Sequence, residues 1–300
     1  MSQPKILVSL LSRDQEFQVM QAADAQLAAE RVGFKAEILY ADQNAIQQIQ
    51  QLFQAIHAPA EQRPLALVVE TVVGEGLERV ARNATGKGIG WVLLARRVGY
   101  LEALRREHPN LPISSVSGDQ PEIGRIQGRQ FRALLPRGGV VLYVRGPSDT
   151  SDAQERLEGA REATVGAGIE LRILEGSWTE ASAEQAIRNM LRLKTAESFR
   201  PDLVGAQNDS MAVGARRAAL ALRKDWAGVP FTGCDGLPDG GQRLVNMRQL
   251  AATIVTPSNA GPAIDLVARW HKTRQQPPSE IVSTPVSYPR EDELGKRARA

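Results

Sequence analysis

Several polar side chains of this 300-residue chain lie at or shortly after the ends of short apolar segments, where they could bind a small molecule. They belong to Asp14, Arg96, Arg156, Asn208 and Asp235. Arginine, carboxylate and amide groups together suit a neutral polyhydroxylated ligand, because each hydroxyl of such a ligand both donates and accepts hydrogen bonds. The residue types at these positions therefore indicate binding chemistry.

Two aromatic residues could cover the apolar C–H faces that such a ligand also presents. Trp178 lies in the polar segment 175–182, where the position of a tryptophan calls for an explanation. Phe17 lies close to Asp14, but it also falls on the apolar stripe of a predicted helix. Packing in the core is therefore an open alternative for Phe17.

Each polar candidate also has a structural interpretation. Asp209 could cap a helix that begins at Ser210, and Asp235 could form part of a turn. Arg96 could be a solvated or paired surface charge, and Arg156 could form an ion pair on a helix face. The shared location of these residues at one predicted sheet edge is what favours a binding site.

Motifs for catalysis or metal binding are missing from the sequence. Residues 86–90, Gly-Lys-Gly-Ile-Gly, precede a predicted strand instead of linking a strand to a helix, so they do not form a phosphate-binding loop. Cys234 is the single cysteine, and the three histidines lie far apart without the spacing of zinc ligands. We expect no metal and no cofactor. A Rossmann-like enzyme is the third alternative, and it lacks a nucleotide fingerprint.

The charge balance bears on possible partners. The formal net charge is +3, from 37 Lys and Arg against 34 Asp and Glu, without a run of five like charges. This balance predicts no nucleic-acid partner. The apolar segment 6–11 is too short for a secretory signal or a membrane span, so we expect no export signal in this sequence.

Short apolar segments alternate with helical patterns along the whole chain, which predicts an α/β fold. The segments are apolar on successive residues, as in strands covered by helices on both faces, and the intervening helices predict parallel crossovers. The predicted strands are 5–11, 35–40, 65–70, 90–95, 111–116, 139–145, 169–175, 202–207, 229–234, 249–255 and 280–286. So many strands favour two doubly wound parallel-sheet lobes over one sheet.

Three turn-rich stretches, 114–124, 256–262 and 273–280, are predicted to carry the chain between the lobes. Three crossings predict discontinuous lobes around a ligand cleft with a hinge. In doubly wound sheets, ligands bind at the carboxyl ends of the strands, which is where the polar candidates lie.

The first predicted helix follows Ser12, which could form a capping box with Gln15. Phe17, Met20 and Leu27 share one face of this helix together with Ala23, and that face is predicted to pack on the sheet.

Three segments carry a resemblance to a known family. Residues 202–220 (DLVGAQNDSMAVGARRAAL), 233–240 (GCDGLPDG) and 145–163 (RGPSDTSDAQERLEGAREA) resemble type I periplasmic sugar-binding proteins, whose lobes also occur as effector domains of lactose-repressor-type regulators. The resemblance covers nearly the whole chain. It implies one lobe of residues 1–118 plus 257–277, and a second lobe of residues 119–256 plus 278–300.

The resemblance also implies roles for individual residues. Arg156, Asn208 and Asp235 match the positions that hold the hydroxyls of a sugar in that family. Phe17 and Trp178 correspond to its cleft aromatics.

This chain departs from the family pattern at several positions. Ala95 stands where many members have Asp or Asn before the arginine that matches Arg96, which removes one sugar-orienting acceptor. Thr256 replaces a common Gln and could reach a ligand through water. Asp14 and Gln18 stand in place of a common Asn pair. With Ala95 present, the arginines could favour a ligand that carries an acidic group.

The leading hypothesis is a non-enzymatic protein that closes on a small sugar-like ligand by hinge motion. The resemblance implies the solute-binding component of an ABC-type sugar importer, with a permease as partner and only peripheral contact with the membrane protein. The alternative is an intracellular or receptor-coupled sensor that contacts a membrane sensor protein. We expect a monomer, which is periplasmic if a leader was removed and cytoplasmic if Met1 is the native start. The first strand begins at Lys5, which disfavours a DNA-binding regulator.

Overall fold

Strands and helices alternate along the chain in the computed structural model, which describes residues 3–193 and 198–297, with side chains described as far as residue 295. The chain forms two compact units. The first contains Met1–Gly118 and Ser258–Ser283, and the second contains Asp119–Pro257 and Thr284–Ala300. Residues 1, 2, 194–197 and 298–300 of the predicted lobes lie outside the described residues.

The strands are β1 (Lys5–Leu10), β2 (Lys35–Tyr40), β3 (Ala66–Val69), β4 (Gly90–Leu94), β5 (Ile113–Gly118), β6 (Gly139–Arg145), β7 (Ile169–Glu175), β8 (Leu203–Ala206), β9 (Phe231–Thr232), β10 (Thr253–Val255), β11 (Glu280–Ser283) and β12 (Val286–Tyr288). The helices are α1 (Glu16–Val32), α2 (Ala45–His57), α3 (Glu78–Gly86), α4 (Leu101–Glu107), α5 (Gln120–Leu134), α6 (Ser151–Thr164), α7 (Glu180–Leu191), α8 (Asp209–Leu222), α9 (Arg243–Asn246), α10 (Ala260–Thr273) and α11 (Glu291–Arg297). Within the described residues, none of these helices combines the length and the apolar character needed to cross a membrane.

The first unit is built on a six-stranded parallel sheet in the order β11-β5-β4-β3-β1-β2. Successive residues of β1 face opposite sides of this sheet. Ile6 and Val8 join the core under α1 and α10, whereas Leu7 packs on the side of α2, α3 and α4. Burial on both sides explains why the strand is apolar at successive positions.

The second unit contains a four-stranded parallel sheet in the order β7-β6-β8-β9 and a separate antiparallel pair, β10-β12. Val141 and Tyr143 of β6 pack against α5 and α6, while Leu142 and Val144 face α7 and α8. The predicted α/β fold with parallel sheets in two units is confirmed.

The prediction of a single strand over residues 280–286 is wrong. Pro285 cannot donate a hydrogen bond to a ladder, and the chain divides there into two strands. β11 pairs in parallel with β5 of the first unit, and β12 pairs antiparallel with β10 of the second. Strands joined through a helix are expected to pair in parallel, but β10 and β12 pair antiparallel. The helix between them in sequence, α10, packs on the sheet of the first unit instead.

The chain passes from one unit to the other after Gly118, Pro257 and Ser283. The first two points lie within the predicted stretches 114–124 and 256–262, whereas the third lies beyond 273–280. The sequence assigns residues from 278 onward to the second lobe, but pairing with β5 keeps β11 in the first unit.

Helix α1 buries a different face from the predicted one. The helix begins at Glu16 with Gln15 as its N-cap residue, so Ser12 is not the N-cap that the predicted capping box requires, and that prediction is wrong. Leu27 is 65% exposed. The buried residues of this helix are Gln18, Gln21, Ala22, Ala25, Ala28 and Ala29. The alanines pack in one core with α10, and the two glutamines take part in a polar network described below.

Candidate functional site

The loop after β1 holds three of the predicted ligand residues in different environments. Asp14 is exposed, and its backbone N–H donates to Ser12 Oγ at 3.1 Å. Phe17, in the first turn of α1, is half-buried. Gln18 is buried, and its Oε1 accepts a hydrogen bond from the backbone N–H of Leu11 at 3.1 Å.

Glu70, which directly follows β3, is a buried carboxylate that the sequence analysis missed. Its Oε2 accepts hydrogen bonds from Gln18 Nε2 at 3.1 Å and from Gln21 Nε2 at 2.7 Å. Gln48 Nε2 donates to the backbone carbonyl of Glu70 at 2.8 Å and to Ser9 Oγ at 3.1 Å. The sequence does show a glutamate at the end of an otherwise apolar strand. Because a buried carboxylate needs hydrogen-bond partners, this position could have indicated a polar site.

Arg96 follows β4, the strand next to β3, and its side chain is 1% exposed. Its Nη1 donates to the backbone carbonyl of Val72 at 3.4 Å. The interpretation of Arg96 as a surface charge is therefore wrong. That description fits the neighbouring Arg97, whose exposed side chain pairs with Glu280 at 2.9 Å.

In the second unit, Arg156 is held by groups from three other parts of the chain. Its Nε donates to Gln120 Oε1 at 2.8 Å, and its Nη1 donates to the backbone carbonyl of Gln207 at 2.5 Å. The guanidinium carbon lies 5.5 Å from the centre of the Trp178 ring, within reach of a cation–π interaction. The backbone of α6 approaches α5 closely here, since a Cβ on Gly124 would lie 2.1 Å from the carbonyl oxygen of Arg156.

The charge of Arg156 is compensated inside the same unit. Burial lowers the pKa of this guanidinium, but interactions with Cys234, Asp152 and Asp235 outweigh the effect of burial and raise the pKa above its ordinary value. Burial raises the pKa of the Cys234 thiol, which is therefore uncharged at neutral pH, so at that pH the compensating negative charge comes from Asp152 and Asp235. The interpretation of Arg156 as part of an ion pair on an exposed helix face is therefore wrong.

Asn208 is the N-cap residue of α8. Its Oδ1 accepts from the backbone N–H of Met211 at 2.8 Å, and its Nδ2 donates to the backbone carbonyl of Trp178 at 2.9 Å. The helix begins at Asp209, so the interpretation of Asp209 as the cap is wrong by one residue. The two bonds of Asn208 use half of the hydrogen-bonding capacity of a side-chain amide.

Three of the loop residues discussed above adopt the left-handed backbone conformation, which is unfavourable for residues other than glycine. Ala95 has φ 63°, Trp178 has φ 64° and Asp235 has φ 109°. Such conformations cost free energy and persist where surrounding contacts hold them, often at functional sites. Trp178 is also 6% exposed and belongs to the core of the second unit.

Thr256 lies beside Asp235 in the second unit. The backbone carbonyl of Asp235 accepts hydrogen bonds from the backbone N–H of Thr256 at 3.1 Å and from its hydroxyl at 3.4 Å. The second unit therefore gathers Thr256 with Asp235, and Arg156 with Trp178 and Asn208. In the first unit Gln18 contacts Glu70.

Across the described residues, no cluster of three or more His, Cys, Asp or Glu side chains could hold a metal ion.

The sequence profile described as a periplasmic binding protein domain matches residues 6–264. The chain belongs to this family. The ribose import binding protein of Escherichia coli is 35% identical over 144 residues, which are 47% of this chain and 46% of that protein. The chain therefore matches about half the length of this relative. The galactofuranose-binding protein of the same species is 24% identical over 271 residues, covering 88% of this chain and 81% of that protein. Both relatives are named as binding proteins.

Solved structures of the family share the fold over nearly the whole chain. A periplasmic solute-binding protein of an ABC transporter from Actinobacillus succinogenes, with bound D-allose, has a TM-score of 0.81 at 20% identity and covers 98% of this chain and 100% of its own. The Caulobacter myo-inositol binding protein has a TM-score of 0.80 at 21% identity, with coverages of 98% and 96%. The fructose-binding periplasmic domain of a hybrid two-component system has a TM-score of 0.79 at 23% identity, with coverages of 99% and 94%. At these identities, the likeness shows the fold.

Proposed function

We propose that this chain binds an uncharged sugar or sugar-like polyol, without catalysing a reaction, as the solute-binding component of an ABC-type importer. The observation that carries the proposal is the cluster of Arg156, Trp178, Asn208 and Asp235, defined here as the second-unit cluster. These residues follow parallel strands and combine a charged donor, an amide, a carboxylate and an indole. Groups of this kind match hydroxyls that both donate and accept hydrogen bonds.

The charge balance of the second-unit cluster supports an uncharged ligand over an acidic one. Cys234, Asp152 and Asp235 raise the pKa of Arg156 despite its burial, and its guanidinium already donates to Gln120 and to the carbonyl of Gln207. An anionic ligand would have to compete with those carboxylates and lose its own hydration. A neutral polyol avoids both costs.

In the first unit, we assign to Glu70 the acceptor that Ala95 does not provide. β3 and β4 are adjacent and parallel, so Glu70 and Ala95 follow neighbouring strand ends. Gln18 and Gln21 both donate to one oxygen of the Glu70 carboxylate and hold it in place. In this proposal Gln18 acts through Glu70, while Asp14, Phe17, Arg96 and Thr256 remain candidate contacts.

The relatives support the transport role. Proteins named for ribose import and for galactofuranose binding match the chain, and a solved relative belongs to an ABC transporter. We propose a monomer that delivers its ligand to a permease. The second candidate is a sensor, favoured by the likeness to a fructose-binding domain of a hybrid two-component system. Ligand-dependent capture of a permease would support transport, and capture of a kinase ectodomain would support sensing.

A thermal-shift screen tests the proposed ligand class. The panel contains D-ribose, D-allose, D-galactose and myo-inositol as neutral compounds, with D-gluconate and D-galacturonate as acids. A compound at a hundredfold excess over its Kd stabilises the folded chain by about 2.7 kcal/mol. We expect a shift with at least one neutral compound and none with the acids. A shift with the acids alone would contradict the proposal.

The same screen is repeated with Asp235→Asn, which tests the site, and with Arg172→Ala, which serves as a control. Arg172 lies on β7 and pairs with Glu170 on the exposed surface, so its loss removes an arginine away from the second-unit cluster. The shift should shrink in Asp235→Asn and persist in Arg172→Ala. Equal thermal shifts in both variants would show that Asp235 does not contribute to ligand binding.

A further inference from the structure

Asp209 contacts the main chain on both sides of Asp235. Its backbone N–H donates to the carbonyl of Cys234 at 2.6 Å, just before Asp235. Its carboxylate oxygen Oδ2 accepts a hydrogen bond from the backbone N–H of Gly236 at 2.8 Å, just after Asp235. The two peptide groups that flank Asp235 are therefore tied to one residue at the start of α8.

Asp235 needs such support because of its backbone conformation. Its φ of 109° lies in the region that side chains disfavour, and the free-energy cost must be offset by neighbouring contacts. The backbone N–H of Asp235 also donates to the carbonyl of Ile254 at 3.0 Å. Ile254 and Thr256 each bond to the other side of these two peptide groups. Loss of the bond between the Asp209 carboxylate and Gly236 would therefore loosen the peptide after Asp235 and let the Asp235 carboxylate change direction.

The carboxylate of Asp209 is itself fixed. It belongs to a residue that is 7% exposed, and its Oδ1 accepts a hydrogen bond from the hydroxyl of Thr253 on β10 at 2.7 Å. A Cβ on Gly241 would lie 2.0 Å from Oδ2, so the surrounding loop leaves no room for the carboxylate to turn. Both oxygens face donors, and α8, β10 and the loop after β9 meet at this one group.

We propose that Asp209 is a positioning residue that holds Asp235 in its strained conformation and so aims the Asp235 carboxylate at a ligand hydroxyl. This inference rests on the proposed function, since it assigns a purpose to the orientation of Asp235. Asp209 touches no ligand in this account. It acts by ordering the loop before binding, which lowers the conformational cost that binding would otherwise include.

Two substitutions of Asp209 separate its hydrogen bonds from its charge. Asp209→Ala removes both acceptors. Asp209→Asn keeps one acceptor for the N–H of Gly236, and its amide group can donate to the hydroxyl of Thr253, which accepts as well as donates. The asparagine variant should therefore retain the function that the alanine variant loses.

Hydrogen exchange of the Gly236 amide in the sugar-free protein is the first measurement. We expect exchange to become about tenfold faster in Asp209→Ala, as loss of one buried hydrogen bond implies, and to change by less than about threefold in Asp209→Asn. Circular dichroism confirms that each variant is folded. Unchanged exchange of Gly236 in a folded Asp209→Ala variant would overturn the inference.

The second measurement is the affinity for D-ribose, determined by calorimetry in a double-mutant cycle with Asp235→Asn. If Asp209 acts through Asp235, Asp209→Ala weakens binding about tenfold in the unsubstituted chain and less than about threefold beside Asp235→Asn. An equal loss in both backgrounds would mean a purely structural role and would overturn the inference. If the unsubstituted chain binds no D-ribose and no other member of the sugar panel, the proposed function fails, and the exchange result alone decides the role of Asp209.

Discussion

The two units hold their candidate ligand groups in different ways. In the second unit, Arg156 and Asn208 bond to backbone carbonyls and amides of neighbouring loops, as well as to Gln120. In the first unit, the buried carboxylate of Glu70 is held by the side chains of Gln18 and Gln21. Main-chain partners are independent of residue type, whereas side-chain partners change with every substitution.

This difference suggests a division of labour under the proposed function. The second-unit cluster is held largely by main-chain contacts, and Arg156, Asn208 and Asp235 lie within the segments that resemble the family most. The first-unit network, defined as Glu70 with Gln18, Gln21 and Gln48, includes Gln18, which departs from that resemblance. We therefore expect the second unit to set the strength of sugar binding and the first unit to set the choice among sugars.

The largest effect should come from breaking the charge balance of the second-unit cluster. Arg156→Ala removes the buried donors to Gln120 and to the Gln207 carbonyl, together with the positive charge that acts on Asp152 and Asp235. This loss should lower the free energy of unfolding by about 3–5 kcal/mol. The affinity for the neutral sugar that binds should fall about a hundredfold. Calorimetry and thermal denaturation measure the two effects. Arg156→Lys should unfold less easily than Arg156→Ala, and equal stability of the two variants would argue against the charge balance.

Trp178→Ala should have a comparable effect on stability. The residue belongs to the core of the second unit and is 6% exposed, so its truncation should cost about 3–5 kcal/mol. Chemical denaturation gives the value, and Trp178→Phe is the matched control that keeps an aromatic ring. If the indole also covers a sugar face, folded Trp178→Phe should bind more weakly than the unsubstituted chain. Unchanged affinity would make Trp178 a core residue alone.

Asn208→Ala should act more moderately on both properties. A ligand hydroxyl that loses its amide partner should cost about 1–3 kcal/mol of binding free energy. Loss of the N-cap of α8 should cost about 1 kcal/mol of stability. Asn208→Asp keeps the cap acceptor but loses the donor to the Trp178 carbonyl, so comparing the two variants separates the cap from the loss of the amide donor. Unchanged affinity in both variants would remove Asn208 from the second-unit cluster.

The smallest effect concerns a charge network of the second unit outside the second-unit cluster. Burial raises the pKa of Glu122, but hydrogen bonds from Arg125 and Arg129 outweigh it and hold the pKa below its ordinary value of 4.5. A carboxylate with a lowered pKa in the folded state stabilises the protein above pH 4.5 and loses that contribution as the pH falls through the lowered value. Stability of Glu122→Gln should therefore fall less on acidification than that of the unsubstituted chain.

Denaturation at pH 7 and at pH 3 measures the difference. Arg129 also pairs with Glu291 of α11 at 2.8 Å, so Glu122→Gln leaves the link between α5 and α11 in place. Sugar affinity at pH 7 should be unchanged in this variant. A loss of affinity would mean that surface charges of the second unit, and not only its main-chain contacts, set the strength of binding.

The sequence was most informative where burial on both faces or a local motif decides the structure. Strands such as β1 and β6 are recognisable because both faces are covered and apolar residues stand at successive positions. The second-unit cluster was predictable because Asn208 and Asp235 lie in short segments that resemble a known family. The N-cap was misassigned by one residue, since asparagine and aspartate are equally good N-caps and Asn208 and Asp209 are adjacent.

The first-unit network was harder to predict. An apolar stripe on α1 suggested a face containing Leu27, but the helix buries alanines and two glutamines. Buried glutamines need hydrogen-bond partners, and Glu70, 49 and 52 residues away in sequence, accepts from both of them. Sequence periodicity carries no information about such distant polar pairs. The same limit applies to β12, whose partner strand β10 belongs to a separate part of the chain.

The most direct test of the division between the units compares Asp235→Asn with Glu70→Gln. Calorimetry should measure the affinities of the unsubstituted chain and both variants for D-ribose, D-allose and myo-inositol. The account predicts that Asp235→Asn weakens every sugar that binds by a similar factor, whereas Glu70→Gln changes the ratio of affinities between sugars. The reverse pattern, with a uniform loss from Glu70→Gln and a changed preference from Asp235→Asn, would contradict it.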